Sequence, residues 1–271
     1  MAKKALCVGI NDYPYDGSDL NGCVNDARAW ADLLVSHYDF PQTDVKLLLD
    51  SQATRANIMA GLKNLLAGAN AGDVLVFTNS SHGTYVADTS GDEPMYDEAM
   101  CPYDCAQNLV VDDDLRELFS GLLNGIHLSV ISDSCHSGTV TRAAIGEIIP
   151  GLSTPDDRRA RFLSPALRGE KVLENPWKAR PKGKEKHPES EMKDILLSGC
   201  TDKEYSYDAM IGGKYHGAMT YFAIKTIREA NYEITYAQLH SLLQYQLDEA
   251  GYPQHPQLEG RIENKKRQIF T

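Results

Sequence analysis

The feature of this sequence that most constrains its fold is an alternation of short apolar runs with amphipathic stretches in its N-terminal third. Apolar residues at helical spacing predict a helix over 26–37, and Thr54 suits the N-cap of a second helix. Strands that alternate with helices in this way are joined by right-handed crossovers and pair in parallel. The sequence therefore predicts an α/β fold with a parallel sheet. Three apolar runs are predicted as its first strands, at residues 5–10, 45–49 and 74–77.

The pattern is weaker in the rest of the chain. Residues 85–112 show little regular pattern and are interpreted as an acidic loop. Asp112, Asp113 and Asp114 open a short amphipathic helix, where carboxylates suit the helix dipole, and a fourth strand follows at 126–131. The later predicted elements are a strand at 195–200, a helix at 217–230, a helix after the capping box of Thr235 and Gln238, and a last strand at 267–270.

Two reactive side chains follow two of these strands at equivalent places. Cys135 comes just after the strand at 126–131, and His82 just after the strand at 74–77. A cysteine taken alone is more often a small buried apolar residue than a nucleophile. Parallel strands bring their carboxyl ends to one edge, however, and a Cys–His pair within hydrogen-bond reach makes the sulfur able to attack a carbonyl. The two positions are 53 apart, close to the roughly 50-residue spacing in caspases.

Four motifs, taken in order, resemble the metacaspases, the arginine- and lysine-directed relatives of caspases. They are N-D-Y followed by G-C-V-N-D-A, S-H-G around His82, D-E-P-x-Y-D-E-A-x-C-P-Y-D at 92–104, and D-S-C-H-S-G around Cys135. The third motif is similar to that of bacterial members, and we expect a member without a prodomain. The resemblance covers residues 4–140 strongly and 194–260 more loosely.

The resemblance implies both a fold and a mechanism. The expected fold is a caspase-like three-layer α/β/α sandwich with a mostly parallel central sheet of about six strands. Cys135 would attack the scissile carbonyl, and His82 would protonate the leaving amine. The backbone N–H groups of Gly83 and Cys135 would stabilise the tetrahedral oxyanion. Gly83 suits this role because a residue without a Cβ lets the backbone approach a substrate closely.

The substrate pocket is expected to be acidic, because a buried arginine or lysine side chain needs a charge-assisted partner. By position, the resemblance assigns this pocket to Asp26, Ser80 and Asp133. Without the resemblance, each would be an ordinary polar cap or turn residue. Cleavage after aspartate would need a basic pocket instead, and no arginine stands at the matched positions.

A calcium site is a further implication of the resemblance, and the sequence leaves calcium dependence open. Asp97, Asp113 and Asp114 match the family's aspartate ligands, and calcium prefers several oxygen ligands. Where the family offers another aspartate, this sequence has Arg142. Ser81 also departs from the family, which usually has glycine before the histidine.

The composition changes between Arg142 and Glu191. This stretch holds six of the twelve prolines and eleven Lys and Arg against eight Asp and Glu, in a chain of net charge −11. We interpret 142–192 as a basic, proline-rich linker, flexible and cleavable, between a large-subunit-like part at 1–141 and a small-subunit-like part at 193–271. The candidate cleavage sites in this linker are Arg142, Arg158, Arg159, Arg161, Arg168 and Arg180.

The expected function is a cysteine endopeptidase that cuts proteins after Arg or Lys, controlled by calcium, by clipping of the linker, or by both. An upstream protease is one candidate for that clipping. The acidic net charge argues against a nucleic-acid surface. Without an apolar run of membrane length or a signal peptide, we expect a cytoplasmic protein, and the resemblance implies a monomer. Two alternatives stay open: a catalytically silent interaction module, and an asparagine-directed peptidase of the same fold group.

Overall fold

The computed structural model describes residues 1–87, 96–135, 158–170, 192–201 and 204–271. In chain order the strands are β1 (Lys3–Gly9), β2 (Val45–Leu49), β3 (Val74–Ser80), β4 (Gly83–Ala87), β5 (Tyr96–Met100), β6 (Val110–Val111), β7 (His127–Asp133), β8 (Arg159–Ala160), β9 (Ile195–Ser198), β10 (Tyr207–Ile211), β11 (Lys214–Gly217) and β12 (Gln257–Glu259). The α-helices are α1 (Cys23–His37), α2 (Arg55–Leu66), α3 (Asp112–Ser120), α4 (Ala218–Glu229), α5 (Tyr236–Glu249) and α6 (Ile262–Lys265).

The central sheet has six strands in the order β12–β9–β7–β3–β1–β2. The pairs β1–β2, β1–β3, β3–β7 and β7–β9 are parallel, and only β12 runs antiparallel, against β9. In the β3–β7 pair, Ser80 stands opposite Asp133. The carboxyl ends of these two strands therefore meet at one edge.

Helices cover both faces of the sheet. Along β1 the side chains alternate: Ala5 and Cys7 pack into one core, and Leu6 and Val8 into the other. The first core is closed by apolar residues of α1, α4 and α5, and the second by those of α2 and α3. This arrangement is the predicted three-layer α/β/α sandwich with a mostly parallel sheet.

Several predicted elements are confirmed, and two predictions are wrong. Thr54 caps α2, and Thr235 and Gln238 form the capping box of α5. Residues 85–112 were expected to be irregular, but they contribute to a second sheet of β4, β5 and β6. The last strand of the central sheet is β12 rather than 267–270, whose apolar Ile269 and Phe270 are simply buried in the core.

Part of the predicted linker packs onto the body. Strand β8 pairs antiparallel with β10, in a sheet ordered β11–β10–β8. Phe162 and Leu163, which follow β8, are 4% and 1% exposed. Arg142 and Arg180 lie outside the described residues. Within the described ranges, no helix is both long and apolar enough to span a membrane.

Candidate active site

His82 and Cys135 lie at the shared edge of β3 and β7. Ser80 and Asp133 pair across these strands; His82 comes two residues after Ser80, and Cys135 two residues after Asp133. A Cβ added to Gly83 would lie 1.8 Å from the backbone oxygen of Cys135, so the two loops touch at their backbones. Only glycine fits at this contact.

The imidazole of His82 is buried and oriented by backbone and aromatic groups. Its Nε2 lies 2.6 Å from the carbonyl oxygen of Ser18, and the Tyr13 ring packs 4.8 Å from its own ring, centre to centre. A carbonyl can only accept a hydrogen bond, so Nε2 carries the proton in the neutral ring. The Nδ1 atom is buried and makes no hydrogen bond among the described residues. Burial lowers the pKa of His82 to about 4, which leaves Nδ1 unprotonated at neutral pH and able to accept a proton.

The thiol of Cys135 contacts the backbone of Ser206. Its Sγ accepts a hydrogen bond from the Ser206 N–H at 2.8 Å and donates to the Ser206 carbonyl at 3.2 Å. Among the described residues, no hydrogen bond joins Sγ to the His82 ring. The fold thus brings both predicted catalytic residues to one edge, with the sulfur turned towards Ser206.

A backbone carbonyl occupies the predicted oxyanion position. The N–H groups of Gly83 and Cys135 both donate to the carbonyl oxygen of Arg161, at 2.9 and 3.2 Å. The N–H of Arg161 in turn donates to the carbonyl of Ser206 at 2.9 Å. Residues 158–163, which we call the cleft segment, therefore cross the site as an added strand, held by main-chain hydrogen bonds.

The side chain of Arg161 fills a fully buried acidic pocket. Its Nη2 donates to Asp26 at 2.7 Å and to Asp208 at 3.0 Å. Its Nη1 donates to the backbone oxygen of Asp133 at 3.0 Å and lies 3.4 Å from the Asp133 carboxylate. All four residues are at most 1% exposed. We call the three carboxylates the arginine pocket. They come from α1, β7 and β10, and together they surround the two terminal nitrogens of the planar guanidinium.

Backbone and side-chain donors hold these carboxylates in place. Asp26 accepts from the N–H of Gly217 at 3.0 Å, and Asp133 accepts from the N–H of Thr220 at 2.8 Å, both at the start of α4. Asp208 accepts from the N–H of Gly22 at 3.0 Å. Burial raises the pKa of Asp26, and the charge of Arg161 opposes that rise. The anions are thus preorganised for a cation, since fixed N–H dipoles already surround them.

The pocket contains residues that the sequence interpretation missed. Asp208 and Gly217 belong to the hairpin of β10 and β11, which was not predicted. A Cβ on Gly217 would lie 2.2 Å from Asp133 Oδ2 and 2.4 Å from Arg161 Nη1, so the pocket requires glycine there. Ser206, whose hydroxyl donates to Asp133, was missed as well. The signal for the hairpin was Gly212-Gly213, a two-residue turn between alternating residues.

Ser80 stands opposite Asp133, one of the pocket residues, in the β3–β7 pair. It is buried at the end of β3, and its carbonyl accepts a hydrogen bond from Ile10. Among the described residues, no hydrogen bond joins its hydroxyl to Arg161. The role that the resemblance gives Ser80 stays a prediction.

The predicted calcium ligands do not form a metal site in the described ranges. Asp97 is buried on β5, and Asp113 and Asp114 lie in the first turn of α3. Asp114 pairs with Arg55, whose Nη2 lies 2.7 Å from its carboxylate. No group of three or more His, Cys, Asp or Glu among the described residues is arranged to hold a metal ion. Calcium binding stays a prediction.

Comparison with known proteins agrees with this geometry. The family model of the metacaspase, peptidase C14 domain matches residues 3–143. Metacaspase-9 of Arabidopsis thaliana is 30% identical over 313 aligned residues, which cover 94% of this chain and 93% of that protein. Metacaspase-1 of Cryptococcus neoformans var. neoformans serotype D is 33% identical, covering 94% of this chain and 62% of that protein. Some relatives are much longer: Metacaspase-4 of Arabidopsis thaliana is 41% identical, but the alignment covers 34% of it.

A solved structure supports the fold independently. The crystal structure of protein GSU0716 from Geobacter sulfurreducens matches with a TM-score of 0.74 and 26% identity, covering 100% of this chain and 99% of that chain. The fold and these matches define a cysteine peptidase of the caspase-like class. Within that class, the chain belongs to the metacaspase family.

Proposed function

We propose that this protein is an endopeptidase that cleaves after arginine, using Cys135 as nucleophile and His82 as acid and base. The observation that carries the proposal is the placement of Arg161. Its side chain fills the arginine pocket, and its carbonyl oxygen receives the N–H groups of Gly83 and Cys135. A substrate arginine bound in the same way has its scissile carbonyl where these donors can stabilise an oxyanion.

The chemical steps follow from these positions. The Cys135 side chain rotates away from Ser206, and its proton passes to Nδ1 of His82. The thiolate attacks the carbonyl carbon, and the negative charge that develops on the oxygen is held by the two N–H groups. His82 returns the proton to the leaving nitrogen, the C–N bond breaks, and a thioester forms on Cys135. Water then hydrolyses the thioester, with His82 accepting the proton of the water.

Control of the enzyme is proposed to lie in the linker. With the cleft segment in place, external proteins cannot reach the arginine pocket, because Arg161 occupies it. Cleavage in the linker, by this chain or by another protease, then releases the cleft. Control by calcium rests on the resemblance alone, so the rate should be measured with and without millimolar calcium. The expected substrates are proteins with exposed arginine or lysine sites.

The experiment is initial-rate cleavage of fluorogenic peptides that end in Arg, Lys, Asp or Asn. The full-length chain is compared with Cys135→Ala and with Arg161→Gln, which cannot place a guanidinium in its own pocket. We expect turnover after Arg that is absent in Cys135→Ala and faster in Arg161→Gln than in the unprocessed chain. If neither the unaltered chain nor Arg161→Gln cleaves any of the peptides, the proposal is wrong and a silent interaction module explains the fold better. Turnover confined to Asn would favour the asparagine-directed alternative.

A further inference from the structure

The cleft segment contacts the body on both sides of the Arg161–Phe162 bond. If that segment lies as a substrate does, which rests on the proposed function, its neighbouring side chains mark further binding sites in the cleft. The relevant residues are Phe162, immediately after the bond, and Arg158, the fourth residue before it. Arg159, the third residue before the bond, provides an internal comparison.

Phe162 is enclosed by aromatic side chains. Its ring lies 6.0 Å from that of Tyr85, centre to centre and nearly parallel at 21°, and 6.3 Å from that of Tyr205. The ring is 4% exposed and belongs to one apolar cluster with Tyr85, Cys135 and Cys200. The N–H of Leu163, one residue further, donates to the carbonyl of Gly83 at 2.9 Å, which fixes the backbone on this side. An apolar ring fits this site, whereas a charged side chain would lose its hydration there.

Arg158 contacts the end of helix α5. Its guanidinium carbon lies 4.2 Å from the centre of the Tyr252 ring, and its Nη1 donates to the carbonyl of Gly251 at 2.7 Å. Gly251 has a φ of +71° and follows the last turn of α5, where carbonyl groups carry the negative end of the helix dipole. A ring face together with such a carbonyl suits a cation. Arg159, by contrast, makes a hydrogen bond to the carbonyl of Asp19 at 2.8 Å, and no aromatic ring of the described residues stacks on its guanidinium.

We propose that the cleft selects substrates by two sites besides the arginine pocket: an aromatic site for the residue after the cleaved bond, formed by Tyr85 and Tyr205, and a cation site for the fourth residue before it, formed by Tyr252 and the Gly251 carbonyl. The recognised substrate is therefore a basic segment with arginine at the bond, a second basic residue three positions upstream, and an aromatic residue directly downstream.

The test uses internally quenched peptides and the full-length chain carrying Arg158→Gln, Arg161→Gln and Phe162→Ala, which places none of the three tested side chains in its own cleft. The parent peptide carries Arg-Arg-Ala-Arg-Phe-Leu, as in residues 158–163. Its variants replace Phe by Ala or by Asp, the first Arg by Gln, or the second Arg by Gln. We expect kcat/KM to fall by about tenfold or more for Phe→Ala, and further for Phe→Asp. Replacing the first Arg by Gln should lower kcat/KM by about threefold or more. Replacing the second Arg by Gln should lower it less.

Variants of the enzyme locate the cation site. Tyr252→Phe keeps the ring face, and Tyr252→Leu removes it while preserving apolar bulk. We expect the preference for Arg over Gln at the fourth position to survive in Tyr252→Phe and to disappear in Tyr252→Leu. This preference is a ratio between two peptides on one enzyme, so a partial loss of folded protein does not affect it.

The possible failures are distinguishable. If the parent peptide is cleaved and Cys135→Ala abolishes that cleavage, but all variants are cleaved at equal rates, the two sites are overturned and the proposed function stands. If the parent peptide is not cleaved at all, both proposals are overturned.

Discussion

The guanidinium of Arg161 has carboxylates from three parts of the chain around it, and each can be tested singly. Asp208 is the informative one, because it comes from the small-subunit-like part and the sequence did not reveal it. In Asp208→Asn the Nη2 atom loses a buried anion while the side-chain shape is kept. We expect kcat/KM on arginine peptides to fall by roughly 100-fold or more, with a smaller fall on lysine peptides, because a single ammonium cannot span all three carboxylates.

The control for this prediction is Asp44→Asn, which makes the same change on an exposed residue far from the cleft. Its kcat/KM should equal that of the unaltered chain. An Asp208→Asn enzyme with unchanged kcat/KM would show that this carboxylate takes no part in binding arginine.

His82 supports a prediction about pH. Burial is the main cause of its lowered pKa, and the charges of Arg161 and Arg159 add to the effect. In the full-length Cys135→Ala chain, the ring should therefore stay neutral well below its ordinary pKa of 6.5 and protonate at about 4. In the proposed mechanism the neutral ring is the base, so the acid limb of activity should also lie below 6.5.

The measurement is NMR titration of the ring nitrogens of the Cys135→Ala chain, with the signal assigned from a His82→Gln variant. Adding Arg161→Gln removes one of the positive charges and should move the pKa of His82 upward. Titration near the ordinary value in both chains would contradict the burial of His82.

The sequence predicted the positions of His82 and Cys135 in the fold better than it predicted the arginine pocket. His82 and Cys135 each follow a strongly apolar strand, so their position was visible from local pattern. Asp208 hydrogen-bonds the N–H of Gly22, 186 residues away. A contact of that range depends on the tertiary fold, and no local pattern reports it.

The hairpin of β10 and β11 is the element that completes the arginine pocket. Strand β10 pairs with the cleft segment through β8, and Gly217 at the end of β11 closes the pocket. In Gly217→Ala the new methyl group would overlap both the Asp133 carboxylate and the guanidinium. We expect the enzyme to lose cleavage after arginine, since a bound arginine side chain needs the volume that the methyl takes.

The matched control is Gly121→Ala, where the nearest atom to the new Cβ is the Leu118 oxygen at an ordinary 3.6 Å. Melting temperatures of both variants separate loss of the pocket from loss of the fold. A Gly217→Ala chain that cleaves arginine peptides at the normal rate would contradict the placement of Arg161.

Elements were predictable where they were long and apolar. The strands of the central sheet with continuous apolar runs and the helices with clear caps were predicted at nearly their observed positions. Strand β5 was missed because Tyr96-Asp97-Glu98-Ala99-Met100 mixes acidic and apolar residues, and strand pairing with β4 and β6 supplies its order. The predicted strand at 267–270 is wrong for the opposite reason. Its apolar residues are buried, but the segment pairs with no described strand and forms only a single bridge to Thr235.

The site joins the two parts of the central sheet that lie before and after it in the chain. Strands β1, β2, β3 and β7 precede the Arg161–Phe162 bond, and β9 and β12 follow it. The β7–β9 pairing and the shared core would hold two fragments together after cleavage at this bond. The change of composition after Arg142 marked a separate segment, but it could not show which of the arginines enters the cleft. Which arginine occupies the cleft depends on long-range contacts with Asp26 and Asp208.

The most direct test of the central claim is the intact mass of the purified full-length chain during incubation, beside Cys135→Ala and Arg161→Gln. We predict that the unaltered chain converts to fragments that end at Arg161 and begin at Phe162, at a rate independent of protein concentration, because the bond lies in the chain's own cleft. Neither variant should be cut at this bond. Cleavage at another arginine with this bond intact, or cleavage here that persists in Cys135→Ala, would contradict the claim that Arg161 lies in the active site as a substrate.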